Sequence, residues 1–279
     1  MDAPLPSGYG SPNPFPRSHS WHSRMKLRRA HIILVDISGY TQFIRLHRMS
    51  VLHAEHIITE LLECVIDASS HPLILNKLEG DAALFYAFAD EGVGPAEELG
   101  QRSARAVLHQ IEKFFDVFRK REQELISECT LCLCDACAKA GELRIKVIAH
   151  TGMILVKQIR QFEEIAGEDV ILAHRLLKNS IASDEYLLLT DAFHALSGPP
   201  DTMPMETLCE TYEGHGRITI HVHQPARAAD QPVRPSTSLW RRLGTTLRLE
   251  SHLVRRLLGA PAKEFHHLPS RSSGQNQKS

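Results

Sequence analysis

Two aspartates stand where the sequence predicts that strands end. Asp36 closes the apolar run "HIILVDIS" over residues 31–38, and Asp81 follows Gly80 between two further apolar runs. If these strands are neighbours in a sheet, the two carboxylates meet at one edge and repel each other unless a cation lies between them. Oxygen ligands of this kind suit Mg²⁺ or Mn²⁺. A second interpretation is that Asp36 caps the following helix and Asp81 makes a turn.

The apolar periodicity predicts the elements that would position this pair. We expect helices over about 44–68 and 94–127 and from about 169, with a short one over "DAFHALS". Strands are expected at 31–37 and 185–190, and as pairs over 72–88, 143–158 (turning at 150–152) and around 213–217. This order predicts an α/β (α+β) sandwich of ferredoxin-like type, with helices packed on an antiparallel or mixed sheet.

Composition excludes several classes of protein. The 279 residues are 43% hydrophobic and 23% charged, which is enough apolar residue for a globular core. The formal net charge of −1 gives no indication of a nucleic-acid partner. Neither a signal peptide nor an apolar run of membrane-spanning length is present, so we expect a cytoplasmic protein with reduced cysteines.

Composition also divides the chain. Residues 1–30 are rich in Pro, Ser and Gly and are predicted to be a disordered leader, and residues 31–224 a single domain with a cysteine-rich insert at 129–138. A Pro/Arg/Ser-rich tail follows over 225–279. Its segment 238–259 predicts a basic amphipathic helix, which either packs on a protein surface or makes peripheral contact with an anionic membrane.

Four motifs in order resemble those of class III nucleotidyl cyclases. "LVDISGYTQF" is similar to the first metal motif of that family, and "NKLEGDAALFYAF" to its Lys-x-x-Gly-Asp-Ala hairpin. "LRIKVIAHTGMILV" resembles a later strand segment, and "EEIAGEDVILAHRLLKNS" resembles the helix that carries catalytic side chains. The aspartates stand 45 positions apart, as in the family. The resemblance covers roughly residues 31–224 and points to a divergent bacterial branch of unassigned function.

The resemblance implies a role for each matching residue. Asp36, Asp81 and the backbone carbonyl of Ile37 would hold two Mg²⁺ or Mn²⁺ ions, which bind a triphosphate and activate the ribose 3′-hydroxyl. Lys77 and Glu164 would read the base and favour ATP over GTP. The sites of the family lie at a homodimer interface, so a homodimer is implied as well.

The helix motif departs from the family at one catalytic position. Arg175 matches the arginine that stabilises the transition state, but Ile171 replaces the asparagine that orients the ribose. Isoleucine cannot form hydrogen bonds through its side chain, so turnover should be slow or absent. Glu213 also stands near the place of a phosphate-binding lysine.

Four cysteines within nine positions form a C-x₂-C-x-C-x₂-C cluster, namely Cys129, Cys132, Cys134 and Cys137. Zn²⁺ binding and reduced or redox-active thiols are both compatible with this spacing. The sequence therefore leaves two hypotheses. One is a metal-dependent protein that binds ATP and converts it slowly to cyclic AMP and pyrophosphate. The other is a catalytically degenerate signalling or interaction module, with metal or thiol sensing through the cysteines.

Overall fold

The computed structural model describes residues 25–46, 51–128 and 135–225. Eight strands form one sheet. Their bounds are β1 Met25–Ser38, β2 Ile74–Glu79, β3 Ala82–Phe88, β4 Arg144–Ile159, β5 Phe162–Ala166, β6 Tyr186–Thr190, β7 Glu206–Tyr212 and β8 Gly216–His223.

The order of the strands places β1 near the centre of the sheet. The order is β2-β3-β1-β4-β6-β8-β7, and β5 pairs with the second half of β4. The β4–β6 pair is parallel and the others are antiparallel. The predicted mixed, mostly antiparallel sheet with packed helices is therefore confirmed.

Helices cover both faces of the sheet. The six α-helices among the described residues are α1 Tyr40–Leu46, α2 Val51–Ala68, α3 Ala96–Glu128, α4 Asp135–Ala138, α5 Glu168–Arg175 and α6 Asp191–Ser197, and a short 3-10 helix covers Ala140–Glu142. The long helices α2 and α3 pack with α6 on one face, and α5 packs on the other. None of these described helices combines the length and apolar character that crossing a membrane requires.

The apolar run at the start of the domain is continuous because β1 is buried on both faces. Ile33 and Val35 point into the core beneath α2 and α3, whereas Ile32 and Leu34 point toward α5. All four side chains are fully buried. A strand packed this tightly is a rigid support for a polar residue at its end.

Two element bounds differ from the sequence prediction. The segment predicted to turn at 150–152 is one strand, β4, and the reversal comes after Ile159, where β5 begins. Because β4 extends this far, its second half pairs with residues 25–30, which belong to β1 and not to the expected leader. Residues 1–24 and 226–279 lie outside the described part of the chain, as does the predicted helix 238–259.

Candidate functional site

The structure brings the two predicted aspartates together at one edge of the sheet, the edge formed by the end of β1 and the start of β3. Asp36 lies near the end of β1, in register with Ala82, and Asp81 directly precedes Ala82 in the β2–β3 turn. The Ile37 N–H donates a hydrogen bond to the backbone carbonyl of Asp81 at 3.1 Å, which fixes the turn against β1. Gly80 makes this tight turn with φ +70°, a conformation that side chains disfavour.

The two carboxyl groups are costly to ionise where they stand. Burial, together with the charge of Asp81, raises the pKa of Asp36 to about 6. Burial also raises the pKa of Asp81. Both effects favour a cation at this edge, because a positive charge would offset the lost hydration and the mutual repulsion.

Lys146 is a third member of the site that the sequence analysis missed. It lies on β4 in register with Asp36, and its charge acts to lower the pKa of that residue. Its Nζ lies 5.6 Å from the centroid of the Tyr186 ring. The sequence did contain a signal for this residue. Side chains of a strand alternate between its two faces, so within 145–148 Lys146 lies on the same face of β4 as Ile148.

The oxygen donors at this place fit a divalent ion whose remaining coordination positions are filled by other ligands. Two carboxylates and the Ile37 backbone carbonyl are hard oxygen donors, the type that Mg²⁺ and Mn²⁺ prefer. Across residues 25–46, 51–128 and 135–225, no three or more His, Cys, Asp or Glu side chains cluster as a metal site. Two carboxylates would leave coordination positions for water or phosphate oxygens.

The two residues predicted to read a base lie on separate strands, and each has its own ion-pair partner. Lys77 on β2 contacts Glu79, with Nζ and Oε1 2.8 Å apart. Glu164 on β5 contacts Lys157, at 3.7 Å. Glu79 also contacts His174 on α5, with Oε2 and Nε2 2.9 Å apart. The sequence analysis had not connected His174 with Lys77.

Helix α5 carries the two residues expected to act on the ribose and phosphates. The Ile171 side chain is 53% exposed, so no packing requirement accounts for its apolar character. Arg175 donates hydrogen bonds to the β7–β8 turn, to the Glu213 carbonyl and to Nδ1 of His215, the latter at 3.3 Å. The guanidinium is therefore bound to its own chain, beside the turn where the sequence analysis looked for a phosphate-binding residue.

The start of α5 is fixed to β4 by Asp169. Its carboxylate accepts hydrogen bonds from His150 Nε2 at 3.0 Å and from the Met153 N–H at 2.6 Å. The hydrogen bond from His150 is the main cause that lowers the pKa of Asp169. A Cβ at Gly152 would overlap this carboxyl group, which explains the glycine within an extended strand.

One cysteine of the predicted cluster lies in the described part of the chain. Cys137 on α4 is buried, and its Sγ is 3.9 Å from Nδ1 of His53 on α2. Cys129, Cys132 and Cys134 lie outside the described residues. Metal binding by the cluster therefore stays a prediction.

Comparison with other proteins gives the family. The family described as "Protein of unknown function (DUF2652)" matches residues 58–186. The protein Rv2561/Rv2562 of Mycobacterium tuberculosis, described as uncharacterized, is 31% identical over 202 residues, which cover 72% of this chain and 89% of that protein. The chain belongs to the family of this mycobacterial protein.

Solved structures show the fold that this member of the family adopts. The adenylyl cyclase CyaB of P. aeruginosa superposes with a TM-score of 0.54 at 15% identity, covering 73% of this chain and 97% of that one. The guanylyl cyclase Cya2 gives a TM-score of 0.53 at 12% identity, covering 75% and 96%. The predicted cyclase-type fold is therefore confirmed, whereas identities this low carry no residue's role across.

Proposed function

We propose that this protein binds a purine nucleoside triphosphate, preferentially ATP, together with divalent metal at the edge formed by Asp36 and Asp81. The observation that carries the proposal is the juxtaposition of these two carboxylates at one edge of a cyclase-type sheet, with Lys146 beside them. Asp36, Asp81 and the Ile37 carbonyl would hold two Mg²⁺ or Mn²⁺ ions. Metal bound there would supply positive charge for the triphosphate and activation of the ribose 3′-hydroxyl.

Lys146 has the charge and position to contact the phosphates. It stands on the strand next to Asp36 and faces the same side of the sheet. As a point charge beside the two carboxylates, the Lys146 ammonium would be able to contact a phosphate oxygen of a triphosphate bound there. On the base side, Lys77 and Glu164 supply a donor and an acceptor, a combination that suits the adenine edge.

Conversion of ATP to cyclic AMP and pyrophosphate would be slow in this protein. The 3′-hydroxyl must attack the α-phosphate in line with the leaving pyrophosphate, and orientation contributes much of such a rate. Ile171 offers no hydrogen bond to the ribose. Arg175 already donates to Glu213 and His215. These two observations favour the second candidate function, a signalling module that binds nucleotide without turnover.

A homodimer is part of the proposal. Five large apolar side chains are exposed on one face of the β1–β4–β5 extension, namely Met25, Leu27, Met153, Ile159 and Phe162. Leu27 is 66% exposed and Phe162 58% exposed. Charged residues share this face by register. Exposed apolar side chains with charged residues among them suit a protein interface, and a second copy of the chain is the occupant we propose.

The distinguishing experiment is an assay for cyclic AMP and pyrophosphate with Mn²⁺ and ATP. We expect wild-type activity to be low and to disappear in Asp36→Ala. The variant Ile171→Asn should raise the rate, on the order of 10²-fold if the missing amide alone limits turnover. No product from either protein, with metal-dependent ATP binding intact, would select the non-catalytic function. Absence of ATP binding would contradict both.

A further inference from the structure

Two side chains from different elements, Lys77 and His174, share one carboxylate, that of Glu79, next to the proposed nucleotide site. Glu79 ends β2, two positions before Asp81, and its side chain lies between Lys77 and His174. Oε1 of Glu79 is 2.8 Å from Nζ of Lys77, and Oε2 is 2.9 Å from Nε2 of His174. Each of the three side chains is partly exposed, between 31% and 42%. We call this group the Glu79 triad.

His174 is held by contacts on both of its ring nitrogens. Its Nδ1 lies 2.8 Å from the Val170 carbonyl of its own helix. Its Nε2 lies 2.9 Å from Oε2 of Glu79. The imidazole ring is therefore fixed between α5 and the end of β2.

We propose that His174 is a positioning residue for base recognition: through Glu79 it holds the Lys77 ammonium in place to donate to the acceptor edge of adenine. This inference rests on the proposed function and extends it. Lys77 has three N–H donors, and Glu79 accepts one of them. Because Glu79 is itself held from α5, the lysine loses little further freedom when it binds a base. The triad gives a route by which the position of α5 influences the choice of nucleotide.

Other charged groups near the triad do not replace this role. Arg175, the next residue on α5, points to the β7–β8 turn. Lys146 belongs to the Asp36 strand pair. Glu163 on β5 accepts a hydrogen bond from Tyr86. Within the described residues, Glu79 is the carboxylate that contacts both Lys77 and His174.

The triad is first tested without nucleotide. Two-dimensional ¹H–¹⁵N spectra that correlate the imidazole nitrogens should show a His174 signal, assigned by its loss in His174→Gln. This signal should shift in Glu79→Gln, because the contact of Nε2 with the carboxylate is lost. An unchanged His174 signal in Glu79→Gln would overturn the proposal, whether or not nucleotide binds.

The role in base recognition is tested by the ratio of ATP to GTP affinity in the presence of Mn²⁺. Loss of a charged hydrogen-bond partner should lower this ratio about tenfold in His174→Gln and in Glu79→Gln. His174→Lys again places a hydrogen-bond donor opposite Glu79 and should recover most of the ratio. The matched control is His109→Gln, whose side chain is 68% exposed on α3, against the opposite face of the sheet.

The outcomes separate this inference from the proposed function. Equal ATP to GTP ratios in wild type and His174→Gln, with ATP still bound, would refute the role of the triad alone. Tighter ATP binding by Glu79→Gln would also refute it, because the carboxylate would then compete with the base for Lys77. No nucleotide binding by the wild-type protein would refute both.

Discussion

His31 lies in the middle of β1, and its side chain is fully buried. Nδ1 is 2.8 Å from the Thr151 hydroxyl, and the ring packs edge-to-face against Phe193 at 5.4 Å. Burial, with a smaller contribution from Arg29, lowers the pKa of His31 to about 4. The native protein therefore holds a neutral imidazole, whereas the unfolded chain takes up a proton near pH 6.5.

This difference predicts sensitivity to mild acid. Because the pKa of His31 is lower in the folded state, its contribution to the free energy of unfolding is fully present above pH 6.5 and is lost as pH falls toward 4. His31 should account for about 3 kcal/mol of the fall in unfolding free energy over that range. Urea denaturation across this pH range would show a shallower loss in His31→Phe than in wild type. Parallel pH profiles would disprove the assignment, and His109→Phe is the control.

Gly152 has a definite steric requirement. In Gly152→Ala the new methyl group overlaps the Asp169 carboxyl, which must give up its hydrogen bonds to His150 and the Met153 N–H. We expect a loss of about 2 kcal/mol of stability, measured by urea unfolding. Gly100→Ala is the matched control, since a Cβ there makes ordinary contacts within a helix. Equal stability of Gly152→Ala and wild type would show that the contact relaxes freely.

At the level of single residues, sequence motifs predicted that two aspartates lie together. They did not predict the neighbours that tertiary packing brings to the site. Asp36 and Asp81 were predicted as a pair, and they lie next to each other. Lys146 and His174 were missed as site residues. Their placement depends on the β1–β4 register and on the packing of α5 against the hairpin, which no short sequence pattern contains.

At the level of elements, α3 is fixed to the start of β4 by a buried ion pair. Arg144 donates to Glu122 at 3.1 Å and to the carbonyls of Gly141 and Leu143 at 2.6 and 2.7 Å. The Glu122 side chain is 5% exposed. This contact joins α3 to the start of β4, the two elements on either side of the cysteine-rich insert.

Removing the arginine should be costly because the glutamate stays buried. We expect Arg144→Met to lose about 3 kcal/mol of unfolding free energy. The double variant Glu122→Gln with Arg144→Met should recover part of that loss, since it leaves no buried charge. Lys157→Met, which removes the longer ion pair with Glu164, should cost under about 1 kcal/mol. A double variant no more stable than Arg144→Met would argue against the charge effect.

Most elements were predictable from apolar periodicity, and the exceptions have physical causes. The "HTG" segment suggested a turn because it interrupts an apolar run with a glycine. In the structure His150 and Thr151 are buried and hydrogen-bonded, and the glycine makes room for Asp169. These tertiary contacts are made by residues distant in sequence, so local propensity could not reveal them.

At the scale of the whole molecule, the exposed apolar face of β1, β4 and β5 predicts self-association. Phe162→Asp places a charge at the start of β5, within the proposed interface, and should shift the protein to monomer, because burial of the charge would be costly. Sedimentation equilibrium of wild type and variant measures this shift. Val93→Asp is the control, since Val93 is also exposed but lies in the loop before α3. A wild-type monomer would remove the dimer from the proposal.

The central proposal concerns the two aspartates and can be measured without turnover. Isothermal titration calorimetry should detect ATP binding to the wild-type protein with Mn²⁺ present and much weaker binding without it. We predict that Asp36→Asn and Asp81→Asn each weaken Mn²⁺-dependent binding at least about tenfold. Asp116→Asn, on the exposed side of α3, should bind as wild type does. Undiminished binding by Asp36→Asn and Asp81→Asn would contradict a metal–nucleotide site at this edge of the sheet.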